Sequence, residues 1–215
     1  MPSPGRKFLL AGVGGMNLTH AEAHDAFVAR YGARQDWVAG WLARFGPEQL
    51  RAWAQALGID TFVGSSGRVF PADMKAAPLL RAWLHRLRAT DVHLHARRRW
   101  LGWTADGALR FAGPDGEHAL RADAVVLALG GGSWARLGSD GAWVPLLRAR
   151  AIEVADLLPA SCGFDVGWSE HFRTRFAGQP VKSVLARCMD EEGYERRQQG
   201  EFVITANGVE GGLIY

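Results

Sequence analysis

Apolar and polar positions alternate at helical spacing over several stretches of the chain. Ala21 to Tyr31 has the period of an amphipathic helix, with Thr19 or His20 near its N-cap. Gln35 to Phe45 and Pro47 to Leu57 follow, and Pro47 suits a first helical turn. Trp37, Trp41, Phe45, Leu50, Trp53 and Leu57 form the core-facing stripes of this pair. Met74 to Arg88 repeats the pattern, with Leu79, Leu80, Trp83, Leu84 and Leu87 inward. Thr61-Phe62-Val63 is a short strand, Gly64-Ser65-Ser66-Gly67 a turn, and Arg68-Val69-Phe70-Pro71 a second extended piece. Val92 to Leu120 holds several short strands, broken at Asp106-Gly107 and Pro114-Asp115-Gly116.

Asp123 to Leu129 has another character. Its apolar run is unbroken after Asp123, which predicts a strand buried on both faces of a parallel sheet. The run ends in Gly130-Gly131-Gly132-Ser133-Trp134. A helix is expected over Ala142 to Arg150, with Ser139 or Asp140 as its cap. Beyond about residue 155, Pro159, Gly163, Gly167, Gly178 and Pro180 punctuate short β-like pieces. The expected organisation is an α/β domain over residues 1–155, then the start of an inserted β-rich domain over 156–215, with the boundary near Asp156.

Two glycine clusters carry the candidate chemistry. Arg6 and Lys7 precede Gly12-Val13-Gly14-Gly15, and Met16-Asn17-Leu18-Thr19-His20 follows at once. Successive N–H groups in such a turn make a concave anion site, and the basic side chains add charge. A glycine-rich surface turn ahead of a helix explains the same residues. The second cluster, Gly130 to Ser133, lies at the carboxyl end of the expected strand, where open α/β sheets bind ligands. A corner that needs small residues for packing alone is the alternative there.

Taken in order, these segments resemble a known family. The matching pieces are Gly5-Arg6-Lys7-Phe8, Ala11-Gly12-Val13-Gly14-Gly15-Met16-Asn17-Leu18-Thr19, Gly64 to Pro71, Ala128 to Trp134, Gly138-Ser139-Asp140-Gly141, Phe176 to Lys182 and Gly200 to Gly212. The chain is similar to YhiN/BaiN-type flavoproteins along its whole length. That resemblance implies an FAD-binding, Rossmann-like, two-dinucleotide-binding-domain fold. It implies an FAD-dependent, NAD(P)H-linked oxidoreductase that moves hydride through flavin to or from a small organic substrate. Arg6 and Lys7 would lie near the ribose or pyrophosphate. Gly12, Gly14, Gly15, Asn17 and Thr19 would line the cofactor, with Gly130, Gly131 and Ser133 beneath it. Lys182, Thr205 and Glu210 would serve the substrate side. Val13 departs from the pattern, since relatives often carry Arg there. The family's opening Gly-x-Gly-x-x-Gly unit has no counterpart in these residues, so the chain is expected to be the middle of a longer protein.

Composition narrows the remaining classes. No run of about 18 apolar residues exists, so neither a membrane-spanning helix nor a membrane partner is expected. Phe8-Leu9-Leu10-Ala11 is too short for a signal peptide, and two cysteines without a CxxC suit a reducing, cytoplasmic setting. The histidines show no metal spacing; His20 is a possible proton donor or a polar cap. Trp134 is the tryptophan best placed to stack on a flavin. The net charge is +3, with a dense basic run at Arg97-Arg98-Arg99-Trp100. A nucleic-acid-binding domain would use such a run, but no nucleic-acid module pattern accompanies it, so a solvated strand edge and no nucleic-acid partner are expected. The leading reading is the flavin oxidoreductase acting on a small molecule. A non-catalytic binding module that holds no FAD is the alternative.

Overall fold

A computed structural model of the chain describes residues 3–10, 15–189, 193 and 195–215. The chain forms two compact units, Met1–Val154 and Ala155–Tyr215.

The first unit opens with a one-turn helix, α1 (Arg6–Leu10), and the short strand β1 (Thr19–His20). Helices α2 (His24–Ala29), α3 (Gln35–Leu42) and α4 (Pro47–Gln55) follow. Pro47 occupies the first turn of α4, and the preceding Gly46 N–H donates to Gln49 Oε1 at 3.0 Å, which fixes where the helix begins. Strands β2 (Thr61–Val63) and β3 (Arg68–Pro71) lead into α5 (Ala76–Ala89). The sheet order is β1-β3-β2, antiparallel throughout, with Thr19 and Val63 both paired to Val69. Val69 and Ala54 are fully buried and Leu79 nearly so, which puts the core of this unit between β3, α4 and α5. Trp53 and Trp83 meet edge to face, their centroids 5.2 Å apart.

An antiparallel meander follows: β4 (Arg99–Trp103), β5 (Leu109–Gly113) and β6 (Gly116–Leu120). A 3₁₀ turn (Ala135–Leu137) and a short helix α6 (Val144–Arg148) complete the unit. The second unit holds β7 (Phe164–Asp165), α7 (Glu170–Phe176), β8 (Pro180–Met189), β9 (Glu195–Ile204) and β10 (Gly208–Glu210). Its antiparallel sheet runs β7-β10-β9-β8. Ser169 caps α7 by accepting the Phe172 N–H. Cys162 and Cys188 are free thiols. No described helix is long and apolar enough to cross a membrane.

Helices mixed with layered sheets make this an α/β chain, but several local expectations change. Asp123–Leu129 is not a strand, and Val126 is 90% exposed. A parallel strand exists only with a hydrogen-bonded neighbour, and no described strand pairs with these residues; every ladder among the described residues is antiparallel. Thr19 and His20 do not cap α2, because backbone pairing with Val69 and Arg68 draws them into β1; Ala23 takes the cap position. Trp37, Trp41 and Phe45 are more than half exposed, and the two indoles lean on each other at 4.7 Å. Helical period tells which residues share a face, not what covers that face. The helix expected over 142–150 is confined to α6, with Trp143 rather than Ser139 or Asp140 at its N-cap.

Candidate functional site

The glycine corner after residue 129 is a locked loop. Trp134 and Ser139 exchange backbone hydrogen bonds, Trp134 N–H to Ser139 O at 3.0 Å and Ser139 N–H to Trp134 O at 3.1 Å. Within this frame the carbonyls of Gly130 and Gly131 face protein donors. Ser139 Oγ donates to Gly131 O at 3.0 Å, and Trp143 Nε1 donates to Gly130 O at 3.0 Å. The opposite holds for the amides: the N–H groups of Gly130, Gly131, Gly132 and Ser133 donate to no described residue. A run of amides without protein acceptors among the described residues, beside two carbonyls that are held, presents positive dipole ends to a ligand. Gly130 supports the bend with φ +72°, a left-handed value that glycine takes without strain. A Cβ added to Gly131 would meet no atom within 4 Å, so the backbone there borders open space.

One cation faces the corner. Lys7, on α1, places Nζ 3.3 Å from Ser139 Oγ and 3.5 Å from Ser133 Oγ. Ser139 thus accepts from Lys7 while donating to Gly131, and it is 8% exposed. Lys7 has no carboxylate partner among the described residues. Asp140 is already committed: its carboxylate accepts the Ala142 N–H at 3.1 Å and the Arg99 guanidinium at 2.8 Å. The backbone bond from Ala142, followed by Arg99, holds its pKa below the ordinary carboxylate value. Among the described residues the corner therefore offers an ammonium without a carboxylate partner and amides without acceptors, a donor set matched to phosphate or to carbonyl oxygens and ring nitrogens of a flat heterocycle.

Of the residues named from sequence, Lys7, Gly130, Gly131 and Ser133 share this corner. Gly12 and Gly14 lie outside the described residues. Gly15 sits in the approach to β1, where a Cβ would collide with Met74 Cε. Asn17 is exposed and Thr19 half-buried in β1; Arg6 is exposed on α1. No hydrogen bond among the described residues joins these four to the corner. His20 is engaged at both ring nitrogens, Nε2 with Ser66 O at 2.9 Å and Nδ1 with the Glu22 N–H at 3.2 Å. It pins the Gly64–Gly67 turn. In the second unit, Lys182 on β8 and Glu210 on β10 are exposed and separated in the sheet by β9.

Two corner residues were not assigned this role from sequence. Ser139 reads as a helix cap, since a hydroxyl beside glycine suits either a cap or a loop lock. Trp143 carries no distinct signal in the sequence; its indole N–H finds Gly130 O only through the fold.

The model described as the HI0933-like protein Rossmann domain matches residues 1–214. A protein of Clostridium scindens described as 3-dehydro-bile acid delta(4,6)-reductase is 30% identical over 209 residues, covering 96% of this chain and 49% of that relative. The chain thus spans about half the length of the relative it matches.

Proposed function

Because the chain belongs to the HI0933-like Rossmann-domain family, we propose that it is the cofactor-binding part of an FAD-dependent, NAD(P)H-linked oxidoreductase acting on a small organic substrate in the cytoplasm. The observation that carries this reading is the corner itself. Among the described residues four consecutive amides have no acceptor, the Gly130 and Gly131 carbonyls are held by Trp143 and Ser139, and Lys7 stands beside them without a carboxylate partner. The reductase from Clostridium scindens supports the oxidoreductase class, though its substrate is not carried over.

FAD, when bound, supplies the electron chemistry. The residues of this chain bind and orient it. Lys7 Nζ attracts an anionic oxygen at the mouth of the corner. The amides of Gly130 to Ser133 donate to acceptors on the cofactor. Ser139 and Trp143 hold the loop so that those amides are aimed before the ligand arrives, which lowers the ordering cost of binding. The Gly131 surface admits a flat ring because no side chain projects from it.

A flavin-free binding module is the second reading. The exposure of Val126, in an apolar stretch without a sheet neighbour among the described residues, favours it. Titration of the purified chain with FAD, followed by flavin fluorescence, separates the two. Saturable quenching that Gly131→Val weakens supports the flavoprotein; no change of fluorescence supports the module. Bleaching of the bound flavin absorbance by NADH or NADPH then tests the pyridine-nucleotide link.

A further inference from the structure

β1 ends in a histidine whose two ring nitrogens face partners of opposite kind. The Ser66 carbonyl, 2.9 Å from His20 Nε2, can only accept. The Glu22 N–H, 3.2 Å from Nδ1, can only donate. Together they select the neutral ring with its hydrogen on Nε2 and a lone pair at Nδ1. The ring has little room to turn, since Gly67 backs it and a Cβ there would collide with it. A second partner stands beside Nδ1. Glu22 Oε1 lies 3.4 Å away, enclosed and accepting no hydrogen bond of good geometry, although the Arg30 guanidinium pairs with the carboxylate and bonds Oε2 at 2.9 Å. One residue, Glu22, thus offers Nδ1 both a donor and an acceptor. The other charges around the ring are few. Arg68 stands opposite His20 in the β1–β3 register. His24 and Asp25 open α2 in exposed positions. α4 also packs on β1, but its charged groups are placed elsewhere: Arg51 Nε donates to Thr61 Oγ1 at 3.1 Å, and Glu48 lines a hollow with Asp60.

We infer that His20 is a proton-operated switch for the link between β1 and α2. Histidine is the side chain that changes charge between about pH 5 and 8. A proton taken from water at Nδ1 turns that atom from acceptor into donor. It then repels the Glu22 N–H and bonds Glu22 Oε1 instead. The Nε2 bond to Ser66 O survives, because both nitrogens of the cation donate. The Gly64–Gly67 turn therefore stays pinned while the Glu22 amide is released. α2 follows the link, since it buries no residue and its N-cap, Ala23, makes no side-chain bond to the helix. Neither step depends on what the Lys7 corner holds.

Nitrogen NMR of the uniformly labelled chain, combined with amide hydrogen exchange, tests this. At about pH 8 the His20 ring should show the Nε2–H tautomer. From there to about pH 5.5 the protection of the Glu22 amide, corrected for the intrinsic exchange rate, should fall about tenfold, the loss expected for one hydrogen bond. The Ala21 amide, which donates to Gly67 O at 2.8 Å, should keep its protection. His20→Gln carries no titrating ring, and its Glu22 protection should be level across the range. Ser66→Ala keeps the carbonyl and should switch as the wild type does. An Nδ1–H tautomer in the alkaline sample, Glu22 protection that ignores pH, or loss of Ala21 and Glu22 protection together would overturn the inference. So would an equal pH response in His20→Gln. The wild-type tautomer and exchange decide the matter on their own should that variant fail to fold.

Discussion

Lys7 Nζ lies 3.3 Å from Ser139 Oγ, across 132 residues of chain. This contact joins the basic segment at the start of the chain to the glycine corner that follows residue 129. It makes one donor surface from two motifs that neither could supply alone.

In the proposed function the charge of Lys7 acts on phosphate rather than on the ring system. Lys7→Ala should therefore raise the dissociation constant for FAD about tenfold and leave that for riboflavin nearly unchanged. Fluorescence titration with both ligands checks this. Equal losses would move Lys7 away from the phosphates.

Gly131 has no left-handed backbone to protect and no neighbour within reach of an added Cβ. Gly131→Val should thus fold with an unchanged thermal midpoint while its flavin content drops. Absorbance of the dialysed protein gives the occupancy. Full occupancy in the variant would mean that no ligand approaches this backbone.

Ser139 bonds both Gly131 O and Lys7 Nζ from a nearly buried position. Ser139→Ala removes both bonds at once and should cost about 1–3 kcal/mol in urea unfolding. Ser139→Thr keeps the hydroxyl and should recover part of that loss.

Asp140 titrates below its ordinary value of 3.8 in the folded chain, through the Ala142 N–H first and Arg99 second. In the window between the two values the unfolded state binds more protons than the folded one, so stability rises with pH there. The contribution of Asp140 is present above about pH 3.8 and is lost as pH falls through the folded value. Thermal melts of wild type and Asp140→Asn should differ near neutral pH and converge in strong acid. A gap that widens in acid would contradict the assigned direction.

Burial separates Leu79 from Val126. Leu79 is 1% exposed and Leu79→Ala should cost about 2–5 kcal/mol, whereas Val126→Ser, at a site 90% exposed, should change stability by less than about 0.5 kcal/mol. Denaturant midpoints of the two variants decide it. A large loss at Val126 would restore the buried strand first expected there.

That contrast shows what could be read from residue order. Pro47, the Leu79–Leu80 stripe and the turns at Gly64–Gly67 and Asp106–Gly107 act through neighbours in sequence, so α4, α5, β2, β3 and the meander were legible. Asp123–Leu129 was not, because a strand is defined by the chain that lies beside it. Thr19 and His20 carry cap chemistry but obey their pairing with β3. Trp37 and Trp41 mark one helix face, and nothing in their spacing says whether that face is covered. In the corner, Lys7, Gly131 and Ser133 were recognisable as donors around glycine. The meeting of Lys7 with Ser139 required the fold.

Equilibrium dialysis of the purified chain against FAD tests the central claim most directly. The account predicts a yellow retentate holding close to one flavin per chain, lowered by Gly131→Val. A colourless retentate, with free FAD equal on both sides of the membrane, would contradict it.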